Sequence, residues 1–367
     1  MKRVLSLFSG CGGMDLGFEG GFVTCAKSIN GDDGWLTVPE TSFKTVFAND
    51  IRRDAQRAWQ RYFSRQRNVD GIYHLDSIVD LIERQRNGEN VFPDHIDVVT
   101  GGFPCQDFST AGKRRGFSSE RGRLYKSMKT VIEMVRPKVF VAENVKGLMT
   151  LDDSLDVICR DFASSGYIVR HKLLRAWEYG VPESRERVIF IGVRRDALQC
   201  DDIDTIDFFP PVTHGDRLLP LVACRDVLSH LREPQDEHDD LSQMSYSEAK
   251  YLGRGRQGQT EIRWDGLGPT IRSEHHGNIE YRRLSAEHGG LMTEELERGL
   301  SERRLTPREC ALIQTFPPDY EFVISDAAER VSRSDAYKII GNAVPPVLAY
   351  NIARHLDDIW LALFGTS

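Results

Sequence analysis

Two hydrophobic rhythms alternate along the first 195 residues. Short apolar runs at 3–8, 43–49, 96–100, 138–142, 167–174 and 187–193 predict strands, and the stretches between them carry apolar residues three and four apart, the period of a helix. In the helix expected at 52–66, Ala55, Ala58, Trp59 and Tyr62 form one apolar stripe among Arg52, Arg53, Arg57 and Arg61. The helix expected at 122–136 repeats the pattern through Leu124, Met128, Val131, Ile132 and Val135 and stops at Pro137. Strand, helix, strand in this order implies βαβ units and a doubly wound, mostly parallel α/β sheet.

The rhythm fades between Cys200 and Arg303, where acids, glycines and turn dipeptides such as Asp265-Gly266 and Gly268-Pro269 accumulate. It returns at Thr306-Pro307-Arg308-Glu309, a capping box with proline at the first helical position. A last helix, about 345–361, is apolar on most turns and is expected to pack back on the first sheet. The expected organisation is therefore a body of 1–195 completed by 304–367, with a second, smaller irregular domain at 196–303.

Composition narrows the functional class. With 367 residues, 40% hydrophobic and 28% charged, the chain reads as an ordinary globular protein of two domains. No apolar run reaches the roughly 18 residues of a membrane span, and the N-terminus turns to glycine after one strand, so a cytoplasmic protein without a leader is expected. Seven cysteines without CxxC spacing argue for reduced thiols rather than a disulfide framework or a zinc site, and no metal is expected. The net charge of −7 weighs against nucleic-acid binding. Its distribution reopens the idea, because acids gather at 201–207 and 233–240 while Lys113-Arg114-Arg115, Arg254, Arg256, Arg263, Arg272, Arg282 and Arg283 lie elsewhere.

Two segments point to chemistry. Phe8-Ser9-Gly10-Cys11-Gly12-Gly13 joins the first strand to its helix, where glycines let a ligand approach backbone amides, and Asp50 at the end of the second long strand can accept from ribose hydroxyls. The loop lacks the GxGxxG spacing of a dinucleotide site, which favours S-adenosylmethionine. The other segment is GGFPCQDFS, 101–109, which sets Cys105 just after an apolar strand, where open α/β sheets place reacting groups. Cys105 is thus a candidate nucleophile.

These pieces occur with FVAENVKGL at 140–148, YGVPESRERVIFIGV at 179–193, RRLTPRECALIQTFP at 303–317 and KIIGNAVPPVLAYNIA at 338–353, and in this order the chain resembles the DNA cytosine-5 methyltransferases. The resemblance implies a Rossmann-like methyltransferase fold, S-adenosyl-L-methionine as cofactor and double-stranded DNA as partner. Cys105 would add to C6 of a flipped cytosine, Glu143 would serve N3 and the exocyclic amine, and Arg187 would hold O2, with Arg185 in the catalytic set and Asn144 in support. Phe8 would stack on adenine, Gly10 and Gly12 would border the methionine part, Asp50 would hold the ribose and Asp76 the adenine amine. Ser9, Gly13, Ile51 and Ser77 stand beside them, and Pro104, Leu124, Asn342 and Ala343 match positions lining the same pocket.

For DNA, the resemblance implies a closing loop at 106–117 with Gln106, Ser109, Lys113 and Arg114, and a recognition element at 264–271 in which Thr270 contacts phosphate, flanked by Arg256, Arg263 and Arg272. Two departures stand out: Glu183 occupies a position where the family usually has glutamine, and 27–42 is an insertion expected to form a surface hairpin. A transfer-RNA methyltransferase is the nearest alternative, but its Cys-Phe-Thr signature is absent. A catalytically silent cofactor- or DNA-binding module would typically have lost Cys105, Glu143 or Arg187, and all three are present. A monomer is expected, of bacterial restriction-modification type, with a cognate restriction endonuclease as a functional rather than physical partner.

Overall fold

The computed structural model describes residues 1–103, 124–150, 154–236, 238–273 and 279–365. In chain order its elements are β1 (Lys2–Leu7), α1 (Gly13–Glu19), β2 (Val23–Cys25), β3 (Trp35–Thr37), β4 (Phe43–Asn49), α2 (Arg53–Phe63), β5 (Tyr73–His74), α3 (Ile78–Arg86), β6 (Val98–Gly102), α4 (Leu124–Val135) and β7 (Val139–Val145). There follow α5 (Ser154–Ser164), β8 (Tyr167–Arg175), β9 (Glu186–Arg194), α6 (Cys224–Leu228), β10 (Tyr281–Arg283), α7 (Thr293–Glu297), β11 (Arg303–Arg304), α8 (Pro307–Ile313), α9 (Arg333–Asn342) and α10 (Pro346–Phe364).

Seven strands make one sheet in the order β5-β4-β1-β6-β7-β9-β8, parallel except for β9, which runs against both neighbours. Its strands are buried on both faces, so alternate residues feed two cores. Val139, Val141, Ile189 and Ile191 enter the core shared with α1, α2, α8, α9 and α10, whereas Phe140, Ala142, Val188 and Phe190 enter the one shared with α3, α4 and α5. The sheet is thus wound on both sides, as its periodicity predicts. No helix among the described residues is long and apolar enough to cross a membrane.

The capping box at α8 forms: Thr306 Oγ1 accepts from Glu309 N–H at 3.0 Å, and Glu309 Oε2 accepts from Thr306 N–H at 2.9 Å. The last helix packs on α1, where Gly17 leaves no room for a side chain: a Cβ there would overlap Ala349 Cβ and the Pro346 carbonyl.

The stretch 200–303 contains little regular structure, and buried ion pairs organise much of it. Arg303 meets Glu233 at 2.7 Å and Glu309 at 2.8 Å, Arg282 meets Glu295 at 2.7 Å, and Arg283 meets both Glu233 and Glu295. Burial would raise the Glu233 carboxyl, but the hydrogen bonds and charges of Arg303 and Arg283 hold it down at about 2. Two of the arginines expected in a basic surface, Arg282 and Arg283, are therefore interior, 5% and 1% exposed. A chain segment poor in apolar periodicity has little hydrocarbon to bury, and a buried charge is tolerated only when paired.

The insertion 27–42 supplies the connection and the second strand of a hairpin whose first strand, β2, precedes it: β2 pairs antiparallel with β3. It is not merely on the surface, however, since Lys27 pairs with Asp226 at 2.8 Å and the Trp35 ring sits edge-on to His230 at 5.0 Å.

Replacing Gly17 tests the α1–α10 contact. Gly→Ala stabilises an open helix by roughly 0.5–1 kcal/mol, but overpacking costs about 1–3 kcal/mol. Gly17→Ala is expected to lower the urea unfolding midpoint; an unchanged or higher midpoint would show that the two helices separate at little cost.

Candidate active site

Adjacent parallel strands β4, β1, β6 and β7 end on one edge of the sheet, so Asp50, the loop Phe8–Gly12, Phe103 and Glu143 follow one another along it. β1 leads toward β4 on one side and β6 leads to β7 on the other, so the sheet order reverses between β1 and β6, the crevice where doubly wound sheets bind ligands.

The loop after β1 is held in a shape few sequences can adopt. Phe8, Gly10 and Gly12 have φ of 53°, 54° and 81°. Gly12 abuts Trp59, where a Cβ would come within 2.5 Å of the indole, and a Cβ on Gly13 would overlap the Val344 carbonyl. Ser9 N–H donates to Asn49 O at 2.9 Å, and Gly10 N–H donates to Asp50 Oδ2 at 3.0 Å. The other Asp50 oxygen accepts from Arg52 N–H at 2.9 Å. Burial raises the Asp50 carboxyl, and these amide bonds oppose the rise. Each oxygen keeps a second lone pair, so Asp50 both shapes the loop and can still accept from a ligand hydroxyl.

The other expected pocket residues sit as follows. Ile51 is 73% exposed beyond Asp50. Asp76 stands 4.0 Å from Arg84. Ser77 caps α3, its Oγ accepting from Val79 N–H at 3.3 Å. Leu124 and Ala343 are half-buried, Asn342 is exposed, and Pro104 lies outside the described residues.

Sequence reasoning missed Asp15, which lies in helical register and looks like a surface acid. It is wholly buried behind the loop, accepts from Trp59 Nε1 at 2.7 Å and from Ser6 Oγ at 2.5 Å, and Ser6 Oγ in turn accepts from Ser9 Oγ at 2.7 Å. Desolvation lifts its carboxyl to about 6 against these bonds.

On β7 and β9 the register pairs Glu143 with Ile189 and Val145 with Arg187, which places Glu143 and Arg187 diagonally on one face. Their charged atoms meet at 2.6 Å, and both side chains are only 11% exposed. Among the described residues Arg187 Nε has no well-aligned acceptor, so the pair is a charge contact rather than a locked hydrogen bond. Gly102 makes room for the carboxylate: a Cβ there would come to 2.8 Å from Glu143 Oε2. Asn144 Nδ2 donates to Phe103 O at 3.2 Å, fixing the backbone two residues before Cys105. Cys105 itself lies outside the described residues, as do Gln106, Ser109, Lys113, Arg114 and the rest of the 106–117 loop.

Arg185 requires reassignment. It is 1% exposed, and its guanidinium donates to the carbonyls of Ile271 at 3.0 Å, Gly341 at 3.0 Å and Ala343 at 2.8 Å. Burial, the largest cause, and nearby Arg187 bring it down to about 10. The resemblance implies a place for it in the catalytic set; in the structure both its terminal nitrogens are bonded to backbone carbonyls instead. Glu183 is fully buried beside it, raised chiefly by burial, and accepts from Ile271 N–H at 2.7 Å.

Of the residues expected at DNA, Thr270 donates to Ser184 O at 2.7 Å, and Arg272 is half-buried, 4.0 Å from Glu280. Arg256 and Arg263 are exposed and form no ion pair with a described residue.

Comparison with known proteins gives a consistent result. The family profile described as C-5 cytosine-specific DNA methylase matches residues 2–358. The Type II methyltransferase M.BsuRI of Bacillus subtilis is 33% identical over 97% of this chain and 79% of its own length. M.NgoFVII of Neisseria gonorrhoeae is 33% identical over 98% of this chain and 87% of its own length. Among solved structures, the S. pombe Dnmt2 methyltransferase superposes with a TM-score of 0.64 at 21% identity, covering 98% of this chain and 99% of that one, a likeness of fold alone. The sheet is that of S-adenosylmethionine-dependent methyltransferases.

Asp15 supports a linkage test. Its folded value lies above the unfolded one of about 3.9, so the acid is held neutral and its contribution to stability is lost as pH rises from about 4 to 6. The shift corresponds to about 3 kcal/mol. Asp15→Asn should therefore gain stability over the parent protein as pH is raised from 4 to 7; a difference in unfolding free energy that does not vary with pH would mean Asp15 titrates normally.

Proposed function

The chain belongs to the C-5 cytosine-specific DNA methylase family, and from that premise we propose that it moves a methyl group from S-adenosylmethionine to C5 of a flipped-out cytosine within a specific duplex sequence. The observation that supports this most is the Glu143–Arg187 pair at the ends of β7 and β9, beside the Phe103 carbonyl held by Asn144.

Cytosine C5 is a weak nucleophile until something adds to C6. A thiolate suits that step, and since a free thiol has a pKa near about 8.5, nearby cationic charge such as that of Arg187 favours its ionised form. As the Cys105 sulfur bonds to C6, the electron pair of the C5–C6 double bond moves toward the N3 edge, where Glu143 delivers a proton. Arg187 holds O2 and keeps the ring oriented. When bound, S-adenosylmethionine would supply an electrophilic methyl group to C5 and leave as the thioether. As C5 gains the methyl, the electron pair returns from the N3 edge and Glu143 takes back the N3 proton; loss of the C5 proton to water then expels the sulfur from C6 and restores the double bond.

The left-handed loop and the remaining Asp50 lone pairs fit the cofactor's amino-acid and ribose parts. Phe8, Ile51, Asp76, Ser77, Leu124, Asn342 and Ala343 border the same crevice in this reading. The catalytic body is 1–195 with 304–367, and 196–303 reads the target, with Thr270 on phosphate and Arg256, Arg263 and Arg272 near the bases. The protein would act as a cytoplasmic monomer. Its relatives are named Type II methyltransferases, which fits a cognate restriction endonuclease as functional partner.

Cys105→Ala should abolish methyl transfer to duplex DNA with cofactor affinity unchanged by calorimetry. A 5-fluorocytosine at the target cannot lose fluorine as a proton, so it should trap a protein–DNA adduct that peptide mapping places on Cys105; an adduct elsewhere, or normal turnover of the variant, refutes the assignment.

Glu143→Gln should slow single-turnover methylation by about 10²–10⁴, the usual range for general acid catalysis, with little change in DNA affinity. An unaltered single-turnover rate would remove Glu143 from the chemistry.

A further inference from the structure

The hairpin β2–β3 has no part in the mechanism above, yet its contacts lead to the segment expected to recognise DNA. Lys27 Nζ donates to Asp226 Oδ1 at 2.8 Å, while Asp226 Oδ2 accepts from Ala223 N–H at 2.9 Å. Asp226, 10% exposed, thereby ties the hairpin to the first turn of α6. The next two amides of that turn are directed at the recognition segment: Cys224 N–H donates to Gly266 O, and Arg225 N–H to Trp264 O, both at 2.9 Å. The hairpin carbonyl of Lys27 meets His214 Nε2 at 2.8 Å, and burial, the main cause, lowers the His214 pKa, so the ring is a neutral donor there.

The other side of the segment rests on the turn that precedes Arg187. Gly268 N–H donates to Pro182 O and Ser184 N–H to Gly268 O, each at 2.9 Å, and Glu183 and Arg185 take the amide and carbonyl of Ile271. Residues 264–271 are therefore clamped between α6 and the 182–185 turn. The hairpin braces the α6 side, and no group in the cofactor crevice is needed for that contact.

We propose that the β2–β3 hairpin is part of the target-reading machinery: through Asp226, Lys27 sets where 264–271 stands relative to Arg187, which makes Lys27 and Asp226 positioning residues for target choice. This rests on the reading of 264–271 as a recognition element. Loosening the brace leaves the catalytic groups intact but lets the segment shift against the bases, so discrimination falls before chemistry does.

The test is methylation of a random-sequence duplex library, read by bisulfite sequencing, with cofactor affinity by calorimetry and thermal unfolding as controls. Lys27→Met should raise the share of methyl groups at sites differing by one base roughly three- to tenfold, the size of a coupling through one contact, with cofactor affinity unchanged. Lys27→Arg should retain parental discrimination, and adding Lys27→Met to Asp226→Asn should worsen it no further. Trp35→Leu, which loosens the same brace at His230, should act in the same direction and serves if Lys27→Met unfolds. Arg263→Ala and Arg272→Ala separate the two levels. If either alters target choice while Lys27→Met and Trp35→Leu leave it as in the parent, the brace is refuted and the recognition segment stands. If neither arginine variant nor the hairpin variants alter it, 264–271 is not the reader and the proposal falls with it.

Discussion

Running β9 antiparallel between β7 and β8 is the constraint on which the site depends. Side chains alternate across a strand, and in the register found here Glu143 and Arg187 are diagonal neighbours on one face. Slipping β9 by one residue would send Arg187 to the opposite face and leave a nearly buried carboxylate without its cation. The register is secured by the interior alternation of Val188, Phe190 and Ile189, Ile191 into two different cores. Hydrophobic packing far from the ligand thus decides whether acid and guanidinium meet.

Strand parity does not extend to the arginine two residues earlier. Arg185 precedes β9, and its terminal nitrogens donate to the carbonyls of Ile271, Gly341 and Ala343. Arg187 lies within the sheet opposite Val145 and, among the described residues, reaches the Glu143 carboxylate and the Glu186 carbonyl. Burying a guanidinium is costly unless its donors are satisfied, and Arg185 offsets part of that cost with three backbone bonds from its terminal nitrogens, which join distant chain segments.

Much of the α/β body was legible because its signals are local and periodic. The stripe Ala55, Ala58, Trp59, Tyr62 is buried as expected, and the Thr306 box forms as its sequence predicts. A two-residue strand such as β5 has no period to read. Asp15 and Gly102 were missed for a related reason: an acid on a short helix and a second glycine at a strand end are commonplace until the neighbours that surround them are known. Arg282 and Arg283 misled because a run of basic residues looks the same whether it faces solvent or Glu233 and Glu295. A hairpin was legible in 27–42, but not that its first strand is Val23–Cys25, nor its attachment to Asp226, about two hundred residues away in the chain.

The turn 182–185 joins the strand bearing Arg187 to the segment 264–271. Its backbone holds Gly268 and Thr270, its Glu183 and Arg185 hold Ile271, and it runs directly into the strand bearing Arg187. Glu183 is instructive here. Its Oε1 is bonded to Ile271 N–H while Oε2 is buried without a partner among the described residues, an arrangement that penalises the charged form and tolerates a proton. A glutamine offers the same acceptor to Ile271 and adds donors, so the acid is not required by the contact it makes. What the contact does require is a side chain of that length with an oxygen at its end, since a shorter one would release the amide of Ile271 and the segment that follows Thr270. The geometry therefore accounts for the side-chain length at this position through its grip on Ile271 rather than through a charge.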